Sequence, residues 1–272
     1  MNLGFIGGGN MASALIAGVA RSGMLGRLHV VDINPAQLAQ YAHDYPGAST
    51  AQEINRSLME MDVLVLAVKP QQMRQIALQL APLLPQHGPL IISIAAGIRG
   101  VDLQRWLGGY GALVRCMPNT PALIGRGMSG MTAWPDVTAQ QKQLAQQVLS
   151  AVGATLWLEH EEQLDAVTAL SGSGPAYVFY FIEAMQSAAQ LLGLSEEQGR
   201  QLALATFSGA AELAAQSPEP VAALREKVTS KGGTTQAALT AMEHAQTKTI
   251  IVHAIRSAYV RACELGDEFG RA

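Results

Sequence analysis

The sequence has little cysteine and little charge, and each shortage excludes a class of protein. Cys116 and Cys263 are its only cysteines, too few for a disulfide framework or a cysteine-based zinc cluster. Charged residues make up 14% of the 272 residues and the net charge is −3, which argues against a nucleic-acid-binding or polybasic membrane surface.

Signals for a membrane or for export are also missing. The most apolar stretch, residues 166–182, contains Ser-Gly-Ser-Gly-Pro, so it is better interpreted as a buried helix than as a span of about 20 apolar residues. No charged segment followed by an apolar one precedes the first predicted strand. We therefore expect a soluble, cytoplasmic protein.

Residues 1–158 hold most of the prolines and glycines and alternate β-rich runs with helical patterns. This alternation predicts an α/β domain with a doubly wound, mostly parallel sheet. The predicted strands are Leu3–Ile6, Leu28–Val31, Val63–Val68, Leu90–Ile94, Ala112–Cys116, Met128–Ala133 and Thr155–Leu158. The predicted crossover helices include Met11–Ser22, Pro35–Tyr45 and Gln71–Leu83.

Residues 159–272 contain little proline and are predicted to form a second, all-helical domain. Ser195 and Gln198 have the spacing of a capping box. The predicted helices are Pro175–Leu192, Ser195–Gln216, Val221–Val228, Thr235–His244 and Thr247–Leu265.

A glycine-rich turn after the first strand carries the clearest chemical signal. Gly7, Gly9 and Ala12 fit the pattern G-x-G-x-x-A, in which glycines let a pyrophosphate approach the amino end of a helix. Asp32 ends the second strand, where a carboxylate binds ribose hydroxyls and repels a 2′-phosphate. This predicts that NADH is used at least as well as NADPH. The alternative is that Asp32 only caps the following helix or turn.

Five further motifs accompany this turn along the chain. Residues 67–70 and 94–97 follow the third and fourth predicted strands, at the edge where parallel sheets bind ligands. Residues 117–121, Met-Pro-Asn-Thr-Pro, form a rigid loop. Residues 171–175 and 230–235 each open a helix, and in isolation both suit ordinary helix entry. No Walker motif, nucleophile elbow or histidine pattern for a metal is present, so we expect no metal.

Taken together, these motifs resemble pyrroline-5-carboxylate reductase in order and spacing, from Asn2 to about Leu265. The resemblance implies a Rossmann-type domain, residues 1–158, followed by an all-α dimerisation and substrate domain, residues 159–272. It implies an oxidoreductase that uses NADPH or NADH to reduce the C=N bond of 1-pyrroline-5-carboxylate to L-proline, the last step of proline biosynthesis. In the family, the helical domains of two chains intertwine and the dimers often assemble further.

The resemblance also implies site residues. Those for the cofactor are Ile6, Gly7, Gly8, Gly9, Asn10, Met11, Asn55, Ala67, Val68, Lys69, Pro70, Ile94, Ala95 and Ala96, and Asp32 joins them from its place after the second strand. Those for the substrate are Asp165, Ser230, Gly233, Thr234 and Thr235, with Thr235 as the catalytic residue that hydrogen-bonds the ring nitrogen. Two positions depart from the family. Lys231 stands where many members have proline, and Asp32 stands where NADPH-preferring members have a smaller polar or basic residue.

Two alternatives remain open. A β-hydroxyacid dehydrogenase has a similar layout but needs a lysine in its helical domain, and no lysine lies between Lys142 and Lys227. A non-catalytic nucleotide sensor can use the same fold, and its residues 230–235 would then have no substrate role.

Overall fold

A computed structural model describes residues 1–271, which divide into two compact units. The first unit contains residues 1–173 together with residues 258–271, and the second contains Gly174–Ser257. The boundary predicted at Glu159 lies earlier in the chain than this division. Across residues 1–271, every helix is too short or too polar to cross a membrane.

The first unit is built on an eight-stranded sheet in the order β3-β2-β1-β4-β5-β6-β7-β8. All neighbouring strands pair in parallel except β6 and β7. The sheet confirms the predicted doubly wound, mostly parallel class. Its strands are β1 Leu3–Ile6, β2 Leu28–Val31, β3 Ser49–Ala51, β4 Val63–Leu66, β5 Leu90–Ser93, β6 Leu113–Met117, β7 Gly127–Ala133 and β8 Gly153–Trp157.

Two apolar layers cover the sheet, one on each face. Because side chains alternate along a strand, Leu3 and Phe5 of β1 pack into one layer and Ile6 into the other. All residues of β1, β2, β4 and β5 are buried, as expected for strands covered on both faces. The helices are α1 Asn10–Arg21, α2 Pro35–Asp44, α3 Pro70–Leu80, α4 Gly100–Trp106, α5 Ala139–Ser150 and α6 Gln163–Val167.

The second unit is entirely helical within Gly174–Ser257. Ser195 and Gln198 form the predicted capping box at the start of α8. Close packing of α7 on α8 is permitted by Gly199, which lies against Ala189. The helices are α7 Gly174–Leu191, α8 Glu196–Gln216, α9 Val221–Lys227, α10 Thr234–His244 and the first part of α11 Thr247–Arg271.

Candidate functional site

The carboxyl ends of β1 and β4 lie side by side, with β2 and β3 on one side and β5 on the other. This is the switch point at which open α/β sheets bind ligands. Ala67 donates its N–H to the carbonyl of Ile6 at 2.8 Å, which joins the two loops that leave these strands. A Cβ on Gly7 would lie 2.6 Å from the Ala67 carbonyl oxygen, and the φ of Gly7 is +94°. Glycine is therefore required here for both space and backbone conformation.

The next residue of the turn, Gly8, is held by two side chains. Its N–H donates to Oδ2 of Asp32 at 2.6 Å, and its carbonyl accepts from the Tyr41 hydroxyl at 2.9 Å. The other Asp32 oxygen accepts from the N–H of Asn34 at 2.8 Å, and Asn34 rather than Asp32 caps α2. Burial raises the pKa of Tyr41 to about 12, so its hydroxyl stays a donor at neutral pH. Tyr41 lies within α2, outside the glycine pattern, so the sequence motif does not include it.

Open space lies in front of α1. Gly9 is the N-cap of this helix and has no side chain to cap it, and a Cβ placed there would meet nothing within 4 Å. Asn10 is exposed and Met11 is half-buried. Unpaired N–H groups at a helix amino end favour an anion, so the turn fits the pyrophosphate of a dinucleotide.

Residues 67–69 and 94–96 lie on loops at the same edge of the sheet, and Asn55 lies between β3 and β4. Asn55 caps a 3₁₀ turn, Arg56–Glu60, by accepting the Ser57 N–H at 3.0 Å. Lys69 is exposed and occupies the N-cap position of α3, in which Pro70 is the first residue. Four of the remaining members are half-buried, whereas Ala95 is only 7% exposed. Those half-buried members are Ala67, Val68, Ile94 and Ala96.

Residues 117–121 and the first residues of the 171–175 motif come into contact within the first unit. Asn119, after β6, donates to the carbonyl of Ser171 at 3.0 Å and accepts from the N–H of Met128 at 2.9 Å. Ser171 belongs to a π-helical turn, Thr168–Gly172, that continues α6. The two motifs lie far apart in the sequence, and Asn119 is the side chain that links them.

The predicted substrate residues are divided between the units. Asp165 lies on α6 in the first unit, whereas residues 230–235 lie in the second. Asp165 faces Cys263 of α11; burial and then the Asp165 carboxylate raise the pKa of the Cys263 thiol.

The 230–235 loop is organised at the amino end of α10. Gly233 is the N-cap and donates its N–H to the Ser230 carbonyl at 3.1 Å. Gln236 folds back to accept the N–H of Gly232 at 2.5 Å, a contact that the motif did not predict. Thr234 is exposed and Thr235 is half-buried. The first turn of α10 thus has no side-chain cap and can offer N–H groups to a small carboxylate. Among the side chains that the structure describes, no three His, Cys, Asp or Glu residues are grouped to hold a metal ion.

Comparison with known proteins gives matches in both parts of the chain. A family model described as pyrroline-5-carboxylate reductase dimerisation matches residues 161–265. A second model, described as NADP oxidoreductase coenzyme F420-dependent, matches residues 2–97. The pyrroline-5-carboxylate reductase of Pseudomonas aeruginosa is 43% identical over 270 residues, which cover 99% of this chain and 98% of that protein. That of Pasteurella multocida is 40% identical over 96% of each chain.

Solved structures agree with these matches. A pyrroline-5-carboxylate reductase from Coxiella burnetii superposes with a TM-score of 0.90 at 37% identity, covering 97% of this chain and 98% of that one. The pyrroline carboxylate reductase of Plasmodium falciparum, solved with NADP bound, gives a TM-score of 0.85 at 29% identity and covers 98% of each chain.

Proposed function

The chain belongs to the pyrroline-5-carboxylate reductase family, and we propose that its glycine turn and the amino end of α10 hold the two reactants of that reaction. The enzyme is an NAD(P)H-dependent oxidoreductase that reduces the C=N bond of 1-pyrroline-5-carboxylate and gives L-proline. The observation that carries this conclusion is the whole-length match, which includes both the sheet unit and the helical unit.

For the cofactor, we assign the fifteen residues predicted from the sequence, Ile6 through Ala96. Bound NADPH or NADH supplies the hydride. The N–H groups at the start of α1 hold the pyrophosphate, and the Asp32 and Tyr41 contacts with Gly8 keep those groups in place. Residues 67–70 and 94–96 line the ribose and nicotinamide half.

For the substrate, we assign Asp165, Ser230, Gly233, Thr234 and Thr235. The uncapped amino end of α10 favours the substrate carboxylate through its N–H groups and helix dipole. Thr235 hydrogen-bonds the ring nitrogen. Because a protonated imine is already electrophilic, the protein contributes mainly orientation and charge matching.

The direct test is reduction of NAD⁺ or NADP⁺ by L-proline at high pH, followed at the nicotinamide absorbance. We expect proline-dependent turnover, together with oxidation of NADPH or NADH by 1-pyrroline-5-carboxylate at neutral pH. A nucleotide sensor would bind the cofactor without turnover in either direction, and that result would replace the enzyme assignment with the sensor.

Thr235→Ala should lower kcat/KM for 1-pyrroline-5-carboxylate by about 10²-fold or less, comparable to the loss of one positioned hydrogen bond. The helix should remain folded because Thr235 is half-buried and alanine is a good helix former. Steady-state kinetics with Thr240→Ala as the control will measure the effect, since Thr240 is exposed on the same helix. Unchanged kinetics in Thr235→Ala would remove Thr235 from the mechanism.

The preference between NADH and NADPH should depend on Asp32. Its carboxylate repels a 2′-phosphate, so we expect NADH to have a kcat/KM at least equal to that of NADPH. Asp32→Ser should shift the ratio towards NADPH by about tenfold, the equivalent of roughly 1.4 kcal/mol of lost repulsion. The ratio of the two kcat/KM values is the measurement, because it cancels any general loosening of the Gly8 contact. A strong NADPH preference in the unmodified enzyme would contradict the hypothesis.

We extend the proposal to assembly and location. Residues 1–158 form the cofactor domain, and residues 159–272 form the dimerisation and substrate domain of a homodimer that associates further into an oligomer of dimers. The exposed apolar side chains of α7, among them Phe179 and Leu191, support an intersubunit face there. The protein works in the cytoplasm, consistent with only two cysteines, neither in a disulfide.

A further inference from the structure

The last helix is longer than its sequence pattern indicates. It was predicted to end at Leu265, but α11 continues to Arg271 and includes Gly266 and Gly270. Glycine in a helix interior is unfavourable by about 1 kcal/mol, so two of them one turn apart suggest a packing reason. A Cβ on Gly266 would lie 2.9 Å from Nε of Arg99, and one on Gly270 would lie 2.5 Å from Oδ2 of Asp102.

The segment packed against these glycines follows β5. Arg99 donates to Oδ1 of Asp267 at 2.7 Å, and its guanidinium also reaches the Cys263 carbonyl at 3.5 Å. Gly97, with a φ of +73°, lies against Leu265 and Phe269 of α11. The end of α11 therefore packs against residues 97–99, which directly follow three of the cofactor residues assigned above.

From these contacts, we propose that Arg99 is a positioning residue: bound to the last turns of α11, it holds Ala95 and Ala96 in place for the nicotinamide half of the cofactor. The inference rests on the proposed function, which assigns those two residues to the cofactor. Arg99 and Asp267 are 41% and 52% exposed, so their ion pair adds little to folding stability. Its effect is expected instead in cofactor binding, because a loop that is not held in its bound conformation must be ordered when the cofactor binds.

Arg99→Met is the main test, with Arg261→Met as its matched control. Arg261 lies on α11, and its ion pairs are with Glu264 at 2.9 Å and Glu268 at 2.7 Å of that same helix. We expect Arg99→Met to raise the Kd for NADPH and NADH, measured by fluorescence titration, by about five- to twentyfold. The KM for the cofactor should rise in parallel, while kcat and the KM for 1-pyrroline-5-carboxylate stay within about twofold. Arg261→Met should leave all four values unchanged.

Three further variants separate positioning from a general structural role. Arg99→Lys keeps the charge and should restore part of the cofactor affinity. Asp267→Asn should also raise the Kd. The Kd of the double variant, Arg99→Met with Asp267→Asn, should not exceed that of Arg99→Met alone, because both changes remove the same ion pair. Should Arg99→Met fail to fold, Asp267→Asn provides the same measurement.

The outcomes separate a failure of the Arg99 positioning role from a failure of the proposed reductase function. If the unmodified protein binds NADPH or NADH and the Arg99→Met and Asp267→Asn variants bind it equally well, the positioning role is overturned and the reductase assignment stands. An equal rise of the Kd in Arg261→Met would also overturn it, because the effect would then belong to the helix in general. If the unmodified protein binds neither cofactor, the proposed function fails and the inference fails with it.

Discussion

Gly7→Ala should destabilise the sheet unit by about 2–5 kcal/mol and abolish tight NAD(P)H binding. A non-glycine residue at the φ of +94° is strained by about 1–2 kcal/mol, and the added methyl group would overpack the turn by a further 1–3 kcal/mol. The contact is with backbone, 2.6 Å from the Ala67 carbonyl oxygen, so no side-chain rotation can relieve it. Urea unfolding and cofactor titration measure the two effects.

Gly9→Ala is the matched control for space and conformation. Gly9 has a φ of −71°, which alanine adopts freely, and a Cβ there meets nothing within 4 Å. The fold should therefore lose no more than about 1 kcal/mol. Cofactor binding should still weaken, because the methyl group projects into the open space in front of α1. Equal stability of Gly7→Ala and the unmodified protein would contradict the structural account of the turn.

The glycine turn was predictable from the sequence because its requirements are local. A tight turn, a buried strand before it and a helix after it all lie within residues 3–21. The three-residue β3 was missed since Ser49–Ala51 has no apolar run and forms the edge of the sheet. The end of α11 was missed for a different reason. Gly266 resembles a stop signal, and only contact with distant Arg99 makes glycine favourable there.

The candidate site shows the same division between local and long-range information. The glycines, Asp32 and the 230–235 motif were found from residue types and spacing. Tyr41, however, reaches Gly8 across 33 residues of chain, and Asn119 reaches Ser171 across 52. No spacing pattern encodes these pairs, because they depend on which strands and helices become neighbours. Glu161 is a third such case, because its carboxylate pairs with Arg115 of β6, 46 residues earlier in the chain.

Glu161→Ala should lower the free energy of unfolding of the first unit by about 3–5 kcal/mol. The Glu161 carboxylate pairs with Arg115 of β6, whose side chain is only 8% exposed, and accepts the N–H of Gly100 at 2.5 Å. Its loss leaves a buried guanidinium without a counter-charge and the start of α4 without an acceptor. Urea denaturation is the measurement. Glu60→Ala is the control because Glu60 pairs with Arg27 at 3.1 Å on the surface, where an ion pair contributes about 0–1 kcal/mol.

Combining Arg115→Met with Glu161→Ala should restore part of the stability lost in Glu161→Ala, because the double variant no longer buries an unpaired charge. Gly100 follows the loop that Arg99 ties to α11, so Glu161 supports the carboxyl end of β5 from a second direction. Glu161→Ala should consequently also raise the KM of the folded enzyme for NAD(P)H. A loss of stability no larger than that of Glu60→Ala would mean that Arg115 is satisfied without Glu161 and that the loop is held by α11 alone.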